Sequence, residues 1–271
     1  MEVSAELILA AFALTLIAGL ATGVGSILAF FTSNTNTKFL SWALGFSAGV
    51  MIYISFVEIF NKANDALTAE LGDGKGTWVT VIGFFGGMLL IALIDKFIPS
   101  HGNPHEIKKV EDMRRPNPQG DGELVKMGTF TALAIAIHNF PEGIATFTAA
   151  LQDPVLGIAI TVAVAIHNIP EGIAVSVPIY FATGDKKKAF RLSFLSGLAE
   201  PVGAIVAFLF LMPFLSELVF GIIFAAVAGI MVFISIDELL PAAKKYDEAH
   251  TSIYGLMMGM AVMALSLLLV M

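Results

Sequence analysis

The 271-residue sequence contains no cysteine and little charge. The missing thiols exclude disulfides, thiolate metal sites and cysteine nucleophiles, and say nothing of the redox compartment. Only 14% of the residues are charged, against 57% hydrophobic, and the mean hydropathy is +0.84. A water-soluble globule with a polar surface does not have that composition, so the chain reads as a membrane protein. Fifteen Lys and Arg against 22 Asp and Glu leave a formal charge of -7, with no basic excess to meet a nucleic acid.

The apolar residues are gathered into stretches long enough to cross a hydrocarbon core of about 30 Å, which takes about 20 helical residues. Eight are expected: 7–31, 39–57, 77–94, 127–151, 154–183, 192–216, 218–236 and about 251–271. The expected fold is an all-α membrane protein, a single transmembrane domain over 1–271 with a flexible cytoplasmic loop at about 99–126. The first stretch is long, lacks a basic leader and follows Glu2 and Glu6, so it is expected to persist rather than be cleaved as a signal peptide. Basic residues accumulate in cytoplasmic loops. With the N-terminus outside, thirteen fall on the cytoplasmic side and two, Lys62 and Lys75, outside. Both termini are therefore expected on the extracytoplasmic side, which also requires an even number of crossings.

The loop, "PSHGNPHEIKKVEDMRRPNPQGDG", is rich in proline, glycine and charge. Its His101 and His105 read better as solvated histidines than as ligands, because a flexible pair lacks surrounding groups to orient it. Four glycine pairs at four-residue spacing (Gly19 and Gly23, Gly45 and Gly49, Gly83 and Gly87, Gly255 and Gly259) suit close packing of membrane helices.

The polar residues inside the apolar stretches carry the chemistry. "AIAIHNFPEGIA" at 134–145 recurs as "AVAIHNIPEGIA" at 163–174. On a helix His138, Asn139 and Glu142 share a face, and so do His167, Asn168 and Glu171. Pro141 and Pro170 cannot donate to the carbonyls of Ile137 and Ile166, which leaves a backbone acceptor beside each set. A short turn at 152–154 makes the two segments antiparallel neighbours, and both motifs lie about halfway across. A third segment adds Glu200 in "GLAEPVGA". Three central carboxylates would cost on the order of 8 to 10 kcal/mol on an insertion scale unless paired, protonated or metal-bound, and no lysine or arginine lies mid-segment to pair with them. Two imidazoles, two amides and three carboxylates form a mixed N/O set that suits Zn, Fe(II), Mn or Co better than Ca or Mg. Without thiolates the set holds an ion loosely enough to release it, as transport requires. A di-metal carboxylate enzyme or a cation channel would use similar residues, but the sequence offers the enzyme no nucleophile or substrate pocket.

With its doubled HN-x-PEG motif, "GLAEP" after it, and eight segments with a long loop between the third and fourth, the chain resembles the ZIP (ZRT/IRT-like) family of metal transporters, in its bacterial branch. The resemblance implies a divalent-metal importer, zinc first with iron, manganese, cobalt or cadmium as further cargo, in the cytoplasmic (inner) membrane of a bacterium. It implies that the fourth and fifth helices form a two-metal site, with Zn2+ bound and transported and Fe2+ or another divalent ion as an alternative second occupant. Carried over residue by residue, His138, Glu142, His167 and Glu171 would hold one metal, and Asn139, Glu142, Asn168, Glu171 and Glu200 would lie at or near the other. Some relatives have Gln-Asp where this chain has His167 and Asn168, and many have a histidine-rich loop where this one has two histidines. Expected partners are the metal ions and the bilayer, with a homodimer left open. Alternating access around a fixed midplane site is the expected mechanism.

Nearer the mouths, Ser55 and Glu58 on the second segment and Asp237 and Glu238 before Pro241 on the seventh read equally well as ion relays or as ordinary interfacial groups. Met51 and Tyr53 read as packing residues.

Overall fold

A backbone in lipid has no water to satisfy its N–H and C=O groups, so an apolar chain of this length must form helices or a closed barrel. In the computed structural model, which describes residues 4–31, 37–97, 121–211, 214, 216–245, 247 and 250–270, the regular elements are all helical. They are α1 (Ala5–Phe31), α2 (Thr37–Ile54), α3 (Phe60–Leu71), α4 (Asp73–Phe97), α5 (Asp121–Gln152), α6 (Pro154–Thr183), α7 (Lys186–Gly197), α8 (Ala199–Val206), α9 (Glu217–Ile234), α10 (Leu240–Lys245) and α11 (Thr251–Val270). Five-residue π turns, Ser55–Ile59, Ala207–Leu211 and Ser235–Leu239, continue α2 into α3, extend α8, and continue α9 into α10.

Among the described residues, seven helical spans are long and apolar enough to cross a membrane: Ala5–Phe31, Ser41–Leu71, Asp73–Lys96, Pro154–Val177, Lys186–Leu211, Glu217–Lys245 and Thr251–Leu268. The remaining expected segment, 127–151, lies inside the 32-residue α5, which is not among the seven; many side chains of its first turns lie outside the described residues. Three boundaries differ from the sequence expectation. Residues 121–126 are helix rather than loop, because no proline interrupts the backbone ladder between Pro118 and Pro141. The second segment runs on to Leu71, since "FNKANDALTAEL" places Ala63, Ala66 and Leu67 on one buried face. The sixth begins at Lys186, where the Asp185 side chain caps the helix by accepting from the amides of Lys187 (2.8 Å) and Lys188 (3.1 Å). Residues 98–120, with His101 and His105, lie outside the described residues.

Glycine pairs set the helix spacing. Gly45 and Gly49 of α2 lie against the backbone of Ser252 and Leu256, and Gly255 and Gly259 of α11 lie against that of Trp42 and Phe46; a Cβ at any of the four would strike a main-chain oxygen. Both helices thus give up side chains where the other's backbone arrives, as small residues allow in lipid. α1 packs similarly on α6, and α5 on α8. The largest core cluster draws on α1, α2, α3, α4, α5, α6, α9, α10 and α11, and the repeated motifs sit within this packing.

Candidate metal centre

A single residue joins α5 to α6. Asp153 ends the first helix and caps the second, its carboxylate accepting from the amides of Val155 (3.0 Å) and Leu156 (3.3 Å) ahead of Pro154 in the first turn. The two motif helices are therefore an antiparallel hairpin. Each histidine finds the glutamate of the other copy: His167 Nε2 lies 3.2 Å from Glu142 Oε2, and His138 Nε2 lies 3.5 Å from Glu171 Oε1. His167 Nε2 is also 3.9 Å from Glu171 Oε1, one turn along α6. All four side chains are buried.

The amides and the third carboxylate form a neighbouring group. Asn168 donates to Glu200 and to the carbonyl oxygen of Ala18 (2.9 Å), tying α6 to α8 and α1. Asn139 has its amide satisfied in the orientation that donates to Glu171 Oε2 (3.3 Å) and Ile135 O (3.2 Å). Glu200 lies at a break between helices: α7 ends at Gly197, four residues before Pro201, whose ring cannot follow an unbroken helix. Gly143 and Gly172 bring the backbones together: a Cβ on Gly143 would strike the main chain of Glu200, and one on Gly172 the carbonyl of Thr22. All seven residues singled out by the sequence thus converge between α5, α6 and α8.

This cluster is under-satisfied. Among the described residues, Glu142 Oε1, His167 Nδ1, Asn168 Oδ1, Glu200 Oε2 and His138 Nε2 are buried without a hydrogen-bond partner. Each such group costs about 1 to 3 kcal/mol, so five in one place point to a ligand that completes them. The spacing is compatible with a small cation. Tetrahedral zinc at bonds of about 2.05 Å needs donors about 3.3 Å apart, and the His–Glu separations run from 3.2 to 3.9 Å. Among the described residues no three His, Asp or Glu already surround a common point; the donors face one another in pairs. Closing them round an ion requires side-chain rotation. The donor set, imidazole and carboxylate with flanking amides, is suited to such an ion.

Glu238 joins the cluster, which the sequence reading left undecided. Its Oε2 lies 3.6 Å from His138 Nδ1, and it is buried while Asp237 beside it is exposed. The π turn at Ser235–Leu239 sets these orientations, with Ser235 Oγ donating to Met231 O (2.8 Å). The sequence held a signal for it: "GVMIYISFVEI" at 49–59 recurs as "GIMVFISIDEL" at 229–239, each with a π turn starting at its serine. In the first copy Ser55 Oγ donates to Met51 O (2.6 Å). Glu58 differs from Glu238 in its partner: Lys62, 3.8 Å away, contacts it and also Asp153 at 3.8 Å. Met51 is fully buried and Tyr53 packs on the core, as packing residues should.

The chain matches the family described as ZIP Zinc transporter over residues 99–267. It is 73% identical over 262 residues to the zinc transporter ZupT of Oceanobacillus iheyensis, covering 96% of this chain and 98% of that one. The ZupT of Lysinibacillus sphaericus is 73% identical over 263 residues (97% and 98%), and that of Streptococcus mutans 62% over 259 (96% and 97%). Matches of that identity and coverage mean that this chain belongs to the ZIP zinc transporter family.

Proposed function

We propose that the chain imports zinc across the cytoplasmic membrane of a bacterium, through a two-ion site near the bilayer midplane. The observation that carries this reading is the reciprocal pairing of His138 with Glu171 and of His167 with Glu142 across the α5–α6 hairpin, in a buried cluster where, among the described residues, Glu142 Oε1, His167 Nδ1, Asn168 Oδ1 and Glu200 Oε2 lack a hydrogen-bond partner. Zinc is favoured by the mixed N/O set and by the relatives, which are named as zinc transporters. The quartet would hold one ion. Asn139, Asn168 and Glu200, sharing Glu142 and Glu171, would hold the other. On this reading α5 is the eighth crossing and both termini lie outside, following the excess of basic residues on one side. Release requires a weak site, which the absence of thiolates provides, and movement of one group of helices past another provides the alternating openings.

Purified protein in sealed liposomes, with a zinc indicator inside, tests the function. Saturable zinc uptake that is lost in His167→Ala is expected; no uptake by folded wild-type protein, or uptake rising linearly without saturation, would overturn the importer reading. Iron(II), manganese, cobalt and cadmium as competitors rank the cargo. Orientation is tested separately, since the chain lacks cysteine. Single cysteines at Asn117 and Asp185 should be shielded from an impermeant thiol reagent in intact cells and one at Gly74 should react. Labelling of Asn117 from outside reverses the topology.

A further inference from the structure

Away from the metal cluster, the last turns of α1 and the first turns of α7 enclose an open groove of about 500 Å³ lined by Ile27, Phe30, Phe31, Lys186, Lys187 and Phe190. That volume lies within the range of small-ligand clefts. Its floor is aromatic and aliphatic. Phe31 is 85% exposed and Ile27 44%, so the apolar wall faces outward, where the surrounding bilayer would be. The rim is cationic. Lys186 Nζ sits over the rings of Phe30 (5.8 Å) and Tyr180 (5.7 Å), which holds the ammonium at the edge of the groove. Among the described residues no carboxylate pairs with Lys186 or Lys187. Asp185, the nearest acid in sequence, directs its Oδ1 to the amides of its own helix. Lys188 and Arg191 are exposed on the same helix. Apolar groove, aromatic belt and unpaired ammonium groups thus succeed one another at one end of the bundle.

We propose that this groove is a binding site for an anionic phospholipid, with the phosphate at Lys186 and Lys187 and an acyl chain along Phe30, Phe31 and Phe190. The site rests on the chain's lying in a bilayer, and neither on the metal it carries nor on its direction of transport. Two physical terms combine there. Basic residues at a membrane surface attract anionic headgroups, and the aromatic wall takes apolar surface out of water only if the molecule carrying the phosphate also carries a chain. A free phosphate meets the first term without the second. A zwitterionic lipid meets the second, but its own ammonium opposes the lysines.

Native mass spectrometry of the purified full chain, released from detergent with phosphatidylglycerol or phosphatidylcholine of the same acyl chains, tests the site. The wild type should retain phosphatidylglycerol about tenfold better than phosphatidylcholine. Lys186→Gln with Lys187→Gln should abolish that preference, and Lys186→Arg with Lys187→Arg should keep it. Both lysines are exposed, so the variants should fold, which the same spectra and a melting curve verify. Equal retention of the two lipids by the wild type, an unchanged preference in the glutamine variant, or loss of bound phosphatidylglycerol on adding millimolar inorganic phosphate would each overturn the proposal. Failure here leaves zinc uptake untouched, and failure of zinc uptake leaves lipid retention measurable.

Discussion

Replacing Glu238 with glutamine keeps the shape of the side chain and removes one negative charge from beside His138. The carboxylate faces Nδ1 of that ring at 3.6 Å, while Nε2, across the ring, faces Glu171 at 3.5 Å. If Nε2 binds the ion, Glu238 occupies the outer position from which a carboxylate orients a metal-binding histidine and raises its basicity. Losing such a partner costs about 10- to 100-fold in metal affinity, or about 1.4 to 2.7 kcal/mol. The 3.6 Å separation is long for a hydrogen bond, so the lower end is expected: about tenfold weaker zinc binding at the ion that His138 would hold. Charge counting agrees in direction: on the proposed two-ion reading Glu142, Glu171, Glu200 and Glu238 would together balance two divalent ions, and removing one carboxylate would leave the pair under-neutralised. The assay is competition with a zinc indicator on folded, metal-stripped protein, with Asp237→Asn as the comparison, because Asp237 is exposed one residue away. Wild-type affinity in Glu238→Gln, or an equal loss in Asp237→Asn, would refute the reasoning.

Three further outcomes are expected. Glu171→Ala should remove both bound ions and Glu200→Ala chiefly one, read by elemental analysis of desalted protein; a variant lacking Glu171 that keeps both would rule out a shared carboxylate. Gly143→Val should destabilise the purified protein by about 1 to 3 kcal/mol through overpacking against the Glu200 main chain, seen as a lower melting temperature, and an unchanged melt would mean that α5 and α8 do not approach so closely. At the start of α11, hydrogen bonds from the Ser252 hydroxyl (2.7 Å) and amide (3.2 Å) hold the Asp247 carboxyl below the usual aspartate range. A lowered folded-state value means that its stabilisation is present above the ordinary aspartate pKa of about 3.9 and is lost as pH falls through the folded value. Protection factors, measured against the intrinsic exchange rate at each pH, should therefore fall for the amides of Ser252 to Tyr254 on acidification in that window, and Asp247→Asn should remove this loss of protection.

Much of this molecule is legible without coordinates, for a physical reason: lipid leaves a long apolar stretch little choice but helix, so counting apolar runs places the rods. The repeated His, Asn and Glu at helical spacing, joined by a turn too short for anything but an antiparallel pair, likewise announces a shared polar site. Glycine pairs announce contact without naming the partner, and only packing set α2 against α11. What needed tertiary structure is which groups of similar sequence are used. Asp237 and Glu238 are adjacent acids in one motif, yet the π turn sends one outward and buries the other at His138. Glu58, its counterpart in the earlier copy, meets Lys62 instead, because a lysine is available one turn further along where the later copy has Ala242. Local sequence determined the helices and the donor types; the directions in which those donors point follow from backbone irregularities and from neighbours far away in the chain, which act only once the helices have packed.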